Sequence, residues 1–217
     1  ELNEPPLLTV PGLQVINELT PLNVSASATD VDIPANPRMY SLISPPAGMT
    51  IDPNTGAIAW TPTEAHGPFT NTITVVVADT NPPAVNTTSI SVTNSFVVIV
   101  REVNTAPQIT VPFNQAITEL TSLNVSASAV DADIPLNALT FALVSPPTGM
   151  TINPNTGAIA WLPNEAQGSN TYTVMVTVTD NSPQAVNAQQ LSDTKSFTVT
   201  VNESNSPPRF TSVPANQ

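Results

Sequence analysis

SPPAGMTIDPNTGAIAW, residues 44–60, returns as SPPTGMTINPNTGAIAW at residues 145–161, differing only at Ala47/Thr148 and Asp52/Asn153. Inside the block, Pro-Asn-Thr-Gly (53–56 and 154–157) reads as a turn, because proline presets φ and glycine accepts a positive one. The turn joins 49–52 to 57–60 as a hairpin. Pro-Pro at 45–46 and 146–147 breaks any helix and forms a stiff loop. The same 101-residue offset runs without a gap from Asn3/Asn104 to Asn104/Asn205, carrying Glu18 onto Glu119, Asp30 onto Asp131, Asp79 onto Asp180 and Phe96 onto Phe197. A fixed period means one structural unit used again. A unit of about 100 residues is too long for a solenoid turn and right for a whole sandwich domain.

Outside the block the pattern is strict alternation. Leu22, Val24, Ala26 and Ala28 alternate with Asn23, Ser25 and Ser27, and Tyr172, Val174, Val176 and Val178 with Thr173, Met175, Thr177 and Thr179. Period-two patterning with β-branched residues marks strands with one buried face. The last strand of the first repeat, 96–100, is apolar throughout and is expected to be covered on both faces. With 24 prolines and no 3.6-residue period, almost no helix is expected. Six or seven strands per repeat, with turn signals between them, predict an all-β chain of two tandem Greek-key β-sandwiches in an end-to-end array. Trp60 and Trp161 are expected to be half-buried packing residues, with a solvent-facing, sugar-stacking Trp as the alternative. The expected domains are 1–103 and 104–204, with 205–217 beginning a third repeat. The joints are ELNEPP (1–6), REVNTAP (101–107) and NESNSPP (202–208), all short, proline-ended and free of Gly-Ser tether.

Composition narrows the function classes. There is no cysteine, which excludes disulfides, thiolate catalysis and Cys-based zinc sites. Sixteen acidic residues face four basic ones, a formal charge of −12. Such a surface repels nucleic acid and anionic membranes, and metal cations are its natural partners. No apolar run is long enough for a membrane helix, and no signal peptide is present. The chain starts and stops inside the repeat pattern and is expected to be a fragment of a longer protein. Hydrolase, P-loop and dinucleotide fingerprints are missing, and the single histidine, His66, meets Gln167 in the other repeat. No enzyme activity is expected.

The acidic residues stand at fixed places. The first repeat has Glu18, Asp30-Val-Asp32, Glu64, Asp79 and, at its joint, Glu102 and Asn104; the second has Glu119, Asp131-Ala-Asp133, Glu165, Asp180, Glu203 and Asn205. Clustered carboxylates are unfavourable without a cation, and calcium takes six to eight hard oxygens. Five features occur twice in the same order: an Asn-x-x-Pro joint, an early Glu, an Ala-x-Asp-x-Asp run, a Thr-Gly-x-Ile-x-Trp hairpin and a Val-x-Asp strand end. Over almost the whole chain this resembles the cadherin superfamily, most closely the cadherin-like, dystroglycan-type or Ig-like tandem domains of bacterial surface proteins.

The resemblance implies calcium at the joint between consecutive domains. Carried over, the central joint would use Glu18, Glu102, Asn104, Asp131, Asp133 and Asp180, with Glu64 near the family's mid-domain acidic motif. The family's Asp-Arg-Glu is replaced by Trp-Thr-Pro-x-Glu, and the linker lacks the usual run of two Asp and two Asn. One or two ions are therefore expected rather than three. The implied role is structural and adhesive: an extracellular, cell-surface repeat stiffened by calcium. Its partners would be neighbouring repeats of the same chain and a cell-surface protein or polysaccharide. The alternatives are a carbohydrate-binding accessory module and a subunit of an extracellular filament or sheath.

Overall fold

The computed structural model describes residues 2–33, 36–205 and 207–208. The expected third repeat, 205–217, falls almost wholly outside the described residues. In the first repeat the alternating segments become β1 (Leu7–Thr9), β2 (Gln14–Asn17), β3 (Leu22–Ser25), β4 (Ser27–Thr29), β5 (Arg38–Ile43), β6 (Thr50–Ile51), β7 (Ala57–Trp60), β8 (Phe69–Asp79) and β9 (Ser91–Arg101). The second repeat gives β10 (Gln108–Thr110), β11 (Gln115–Thr118), β12 (Leu123–Ser126), β13 (Ser128–Val130), β14 (Thr140–Val144), β15 (Thr151–Ile152), β16 (Ala158–Trp161), β17 (Asn170–Thr179) and β18 (Ser192–Asn202). The only helical pieces among the described residues are the 3-10 turns Glu64–His66 and Glu165–Gln167.

Each repeat builds a four-stranded sheet, β2-β9-β8-β5 or β11-β18-β17-β14, and a three-stranded one, β3-β7-β6 or β12-β16-β15. A separate antiparallel pair, β1–β4 or β10–β13, completes it. The first strand of each larger sheet lies parallel to the last, Gln14 opposite Val98 and Gln115 opposite Val199. The strand order is identical in the two halves. Nine strands stand where six or seven are expected, and one of the additional strands arises because the run 22–29 breaks at Ala26, whose N–H bonds Gly56 O at 2.9 Å instead of continuing the ladder.

Two compact units result, and they do not follow the repeat boundary. The first holds the described residues up to Asn104 together with Ala132–Leu136 and Ser182–Gln189; the second holds Thr105–Asp131, Asn137–Asn181 and the described residues from Gln190 on. The core of the first is the inward faces of its sheets, with Ile58, Trp60, Ile73, Val75, Val77, Phe96, Val98 and Val100 buried. The second repeats it with Ile159, Trp161, Val174, Val176, Val178, Phe197, Val199 and Val201.

Two expectations are corrected. Trp60 and Trp161 are each only 2% exposed. Full burial is possible because each indole N–H has a partner, the carbonyl of Ala47 or of Thr148, both at 3.1 Å. An edge-on ring, His66 or Tyr172, packs against each, so neither offers a face to a sugar. The strand β9 is not covered on both faces either: Val97 and Ile99 are half-buried, as are Thr198 and Thr200 in β18.

The repeated hairpin pairs Ile51 with Ile58 and Ile152 with Ile159. Asp52 accepts the N–H groups of Asn54 and Thr55 at 2.9 and 2.8 Å, and Asn153 accepts those of Asn155 and Thr156 at 2.9 and 3.1 Å. Either side chain makes the same turn, which explains why the block tolerates this difference. Gly56 and Gly157 have φ of 71° and 68°, and a Cβ there would meet the carbonyl oxygen of Ala26 or of Ala127. Gly157→Ala is expected to cost roughly 2 kcal/mol or more of stability, about 1–2 of it from the left-handed backbone and the rest from the Cβ meeting Ala127 O. Thermal denaturation of the variant beside the parent checks this.

Candidate metal centres

Carboxylates gather at two places in the first unit. Glu18 follows β2, its N–H bonded to Arg101 O at 3.0 Å. Its Oε1 accepts the Val103 N–H at 2.7 Å, while its Oε2 is buried with no hydrogen-bond partner. Glu64 opens the 3-10 turn that follows β7, and Glu102 follows β9. Ligand oxygens of Glu18, Glu64 and Glu102 lie within 4.8 Å of one another. Glu102 is 2% exposed, and neither of its carboxylate oxygens has a hydrogen-bond partner. Burial first, then the charges of Glu18, Asp133 and Glu64, push its carboxyl up to about 7. Glu18 is also raised, by burial and then against its bond from the Val103 amide, with Asp133 adding to the rise. Asp133, fully buried, belongs to this unit through the segment Ala132–Leu136.

The backbone shapes this cluster. Leu19, next to Glu18, takes a left-handed φ of 56°, and Leu120, next to Glu119, takes 59°. That conformation is uncommon for a leucine and points to a turn held for the carboxylate. Gly67 leaves the room: a Cβ there would run into Glu18 Oε2. Its counterpart Gly168 does the same for Glu119 Oε2 and, at 2.7 Å, for Glu203 Oε2.

In the second unit Glu119, Glu165 and Glu203 reproduce the triad within 4.8 Å. Glu119 Oε1 accepts the Ser204 N–H at 3.0 Å and its Oε2 is buried without a partner. A hydrogen bond with Glu119, and then its charge, raise the Glu165 carboxyl. Glu203 is raised chiefly by the charge of Glu119.

The other gathering in the first unit is Asp30, Asp32 and Asp79, again within 4.8 Å. Asp79 ends β8 and its Oδ1 accepts the Ile90 N–H at 2.8 Å. Asp32 is surrounded by donors: the Glu4 N–H, Asn36 Nδ2 at 3.0 Å and Asn81 Nδ2 at 3.3 Å. Asp30 Oδ2 and Asn81 Oδ1 are buried without partners. The Asn3 amide donates to both carboxylates, to Asp79 Oδ2 at 2.9 Å and to Asp32 Oδ2 at 2.7 Å.

The sequence-derived ligands thus divide between the units. Glu18, Glu64, Glu102, Asn104 and Asp133 lie in the first; Asp131 and Asp180 lie in the second. Asp180 holds the place of Asp79, its N–H bonded to Leu191 O at 3.1 Å and its Oδ1 accepting the Leu191 N–H at 2.8 Å. Sequence reasoning missed Asn36, Asn81, Asn86, Asn187 and the glycine cradles. The 101-residue offset that relates Asn86 to Asn187 and Gly67 to Gly168 was the available signal.

The donor set fits calcium. It is made of carboxylate, amide and carbonyl oxygens, with no thiolate, and Glu18 and Glu102 keep buried oxygens unmatched by any protein donor. The one nearby imidazole is engaged elsewhere: His66 Nδ1 accepts the Thr63 N–H at 3.1 Å.

Two stretches of the chain, 5–100 and 103–202, match the family described as "Putative Ig domain". The chain belongs to this family. Its two Ig-type domains share their fold with cadherin ectodomains. Mouse cadherin-23 EC22-24 aligns over 92% of this chain and 65% of its own length, with 22% identity and a TM-score of 0.55. Human protocadherin-24 EC1-2 aligns over 94% and 100%, with 20% identity and a TM-score of 0.55. Drosophila N-cadherin EC1-4 aligns over 94% and 50%, with 17% identity and a TM-score of 0.55. At these identities the likeness is one of fold. A comparison with curated protein sequences returns no match. Among the described residues no helix is long and apolar enough to cross a membrane.

Proposed function

We propose that the two Ig-type domains form a structural, adhesive stretch of a larger extracellular protein, stiffened by calcium held where one repeat meets the next. The observation that carries this reading is Glu102. A glutamate 2% exposed, with both oxygens lacking donors, faces the charges of Glu18, Glu64 and Asp133. Such a group is costly unless a cation answers it. Glu18, Glu64, Glu102 and Asp133 would be the inner ligands, with Asn104, Asp131 and Asp180 completing the set. Calcium supplies positive charge and six to eight coordination positions there, and no chemistry of bond cleavage.

The residues of the chain do the mechanical work in this scheme. Glu18, Glu64 and Glu102 come from the first repeat and Asp133 from the second, so a ligand set containing all four couples the repeats. Neighbouring repeats are the first partners, and a cell-surface protein or polysaccharide is the further one. No catalytic role is assigned. Burial of both tryptophans leaves neither ring a face on which a sugar could stack.

Calcium titration by calorimetry on the whole chain tests the reading, with scattering in calcium and in metal-free buffer. Asp133→Ala is expected to abolish the tightest binding and Asp131→Ala to weaken it at least tenfold. Scattering should show a narrower range of sizes with calcium present. Parental affinity in the Asp133 variant would sink the ligand set.

A further inference from the structure

Linker ligands are useful only if the linker is held still. In the first unit, residues 102–104 are bound along one side by the segment Ser182–Gln189. The Val186 N–H donates to Glu102 O at 3.0 Å. The Asn104 N–H donates to Asn187 Oδ1 at 2.9 Å, and Asn187 Nδ2 returns a bond to Asn104 O at 2.8 Å. Asn104 Nδ2 donates in turn to Ala188 O at 3.0 Å. One side chain therefore satisfies both backbone groups of a linker residue that is 3% exposed. Residues 104 and 187 both lie outside the strands, so the sheet ladders do not require this arrangement.

The first repeat does the same at its own joint. The Asn3 N–H donates to Asn86 Oδ1 at 2.8 Å and Asn86 Nδ2 to Asn3 O at 2.9 Å. Asn86 and Asn187 are related by the 101-residue offset. Asparagine is the side chain the task demands. It carries an acceptor and a donor on one short planar amide, whereas aspartate carries acceptors only.

We propose that Asn187 is a positioning residue for calcium. By clasping Asn104 it fixes the linker backbone, so that Glu102 and Asn104 are presented to the Glu18 and Glu64 carboxylates before any ion arrives. This rests on the calcium reading above and deepens it. Both polar atoms of the Asn187 amide are engaged with the linker, so it acts through Glu102 and Asn104 and not as a ligand. Partners in the second layer around a metal typically matter by a factor of 10 to 100 in affinity.

The test uses the whole chain with Asn187→Ala, Asn187→Asp and Asn86→Ala, calcium titrated by calorimetry, and amide exchange followed at Asn104 in metal-free buffer. Asn187→Ala should weaken the tightest calcium binding about tenfold or more, with unchanged stoichiometry and faster exchange at Asn104. Asn187→Asp keeps the acceptor, so Asn104 stays protected and affinity falls between the two. Asn86→Ala makes the equivalent lesion at Asn3 and should leave the tightest binding as in the parent. Parental affinity in Asn187→Ala overturns the positioning role and leaves the calcium reading intact, even if Asn104 exchanges faster. A parent chain that binds no calcium removes the calcium reading and this role together.

Discussion

In metal-free buffer the chain should lose stability as the pH rises from about 4.5 to about 7, the opposite of ordinary acid denaturation. The Glu102 carboxyl is raised from 4.5 to about 7 in the folded protein. Between those values the native state keeps a proton that the unfolded chain has released, so unfolding releases a proton and higher pH favours it. The stabilisation is complete below about 4.5 and gone above about 7. At 1.36 kcal/mol per pH unit the interval is worth on the order of 3 kcal/mol. Glu18 is shifted the same way and adds to the slope. Asp52 is shifted down by the amides of Thr55 and Asn54, and its contribution is lost only as the pH falls through its lowered value, below this window. Glu102→Gln keeps the shape and deletes the ionisation. The variant should be more stable than the parent at pH 8 without metal, with a flatter profile from 4.5 to 7 and much weaker calcium binding. Thermal melts at half-unit intervals decide the matter, and a parent curve flat across that window would remove the like-charge cluster from the account.

This prediction was half legible in the sequence. Glu18, Glu64 and Glu102 were placed as candidates, and the hairpin block led to the right strands, because both readings rest on spacing that a linear chain displays. The alternation at 22–28 likewise marked a buried face. What the sequence did not display were distances between segments far apart in number. Nothing local says that Gly67 lies against Glu18, or that 182–189 runs beside 102–104. The tryptophans were misjudged for a related reason. Their burial depends on a carbonyl thirteen residues back and on a ring from another segment, His66 in one repeat and Tyr172 in the other. The apolar outer face of β9 was misread as doubly covered because Val97 and Ile99 satisfy strand propensity without needing a second layer.

Removing calcium at neutral pH should lower the melting temperature of the first unit by roughly 10 °C. A ligand that binds only the folded state stabilises it by about 2.7 kcal/mol at a hundredfold excess over its dissociation constant. For a domain of about 100 residues, each kcal/mol moves the midpoint by about 4 °C. The chelated protein also regains repulsion among Glu18, Glu64, Glu102 and Asp133, which a proton on Glu102 relieves less and less as the pH rises above about 7. The two effects share one origin, since protons and calcium compete for the same oxygens. The calcium effect should therefore shrink as the pH falls through about 7 and be small near 5, while the metal-free protein grows more stable over the same range. A simple surface ion would instead show screening by salt and little dependence on these carboxyls. Melts with calcium and with chelator, at pH 7.5 and pH 5.5 and at two salt concentrations, separate the cases. Superimposable curves at pH 7.5 would leave a passive, proline-stiffened spacer.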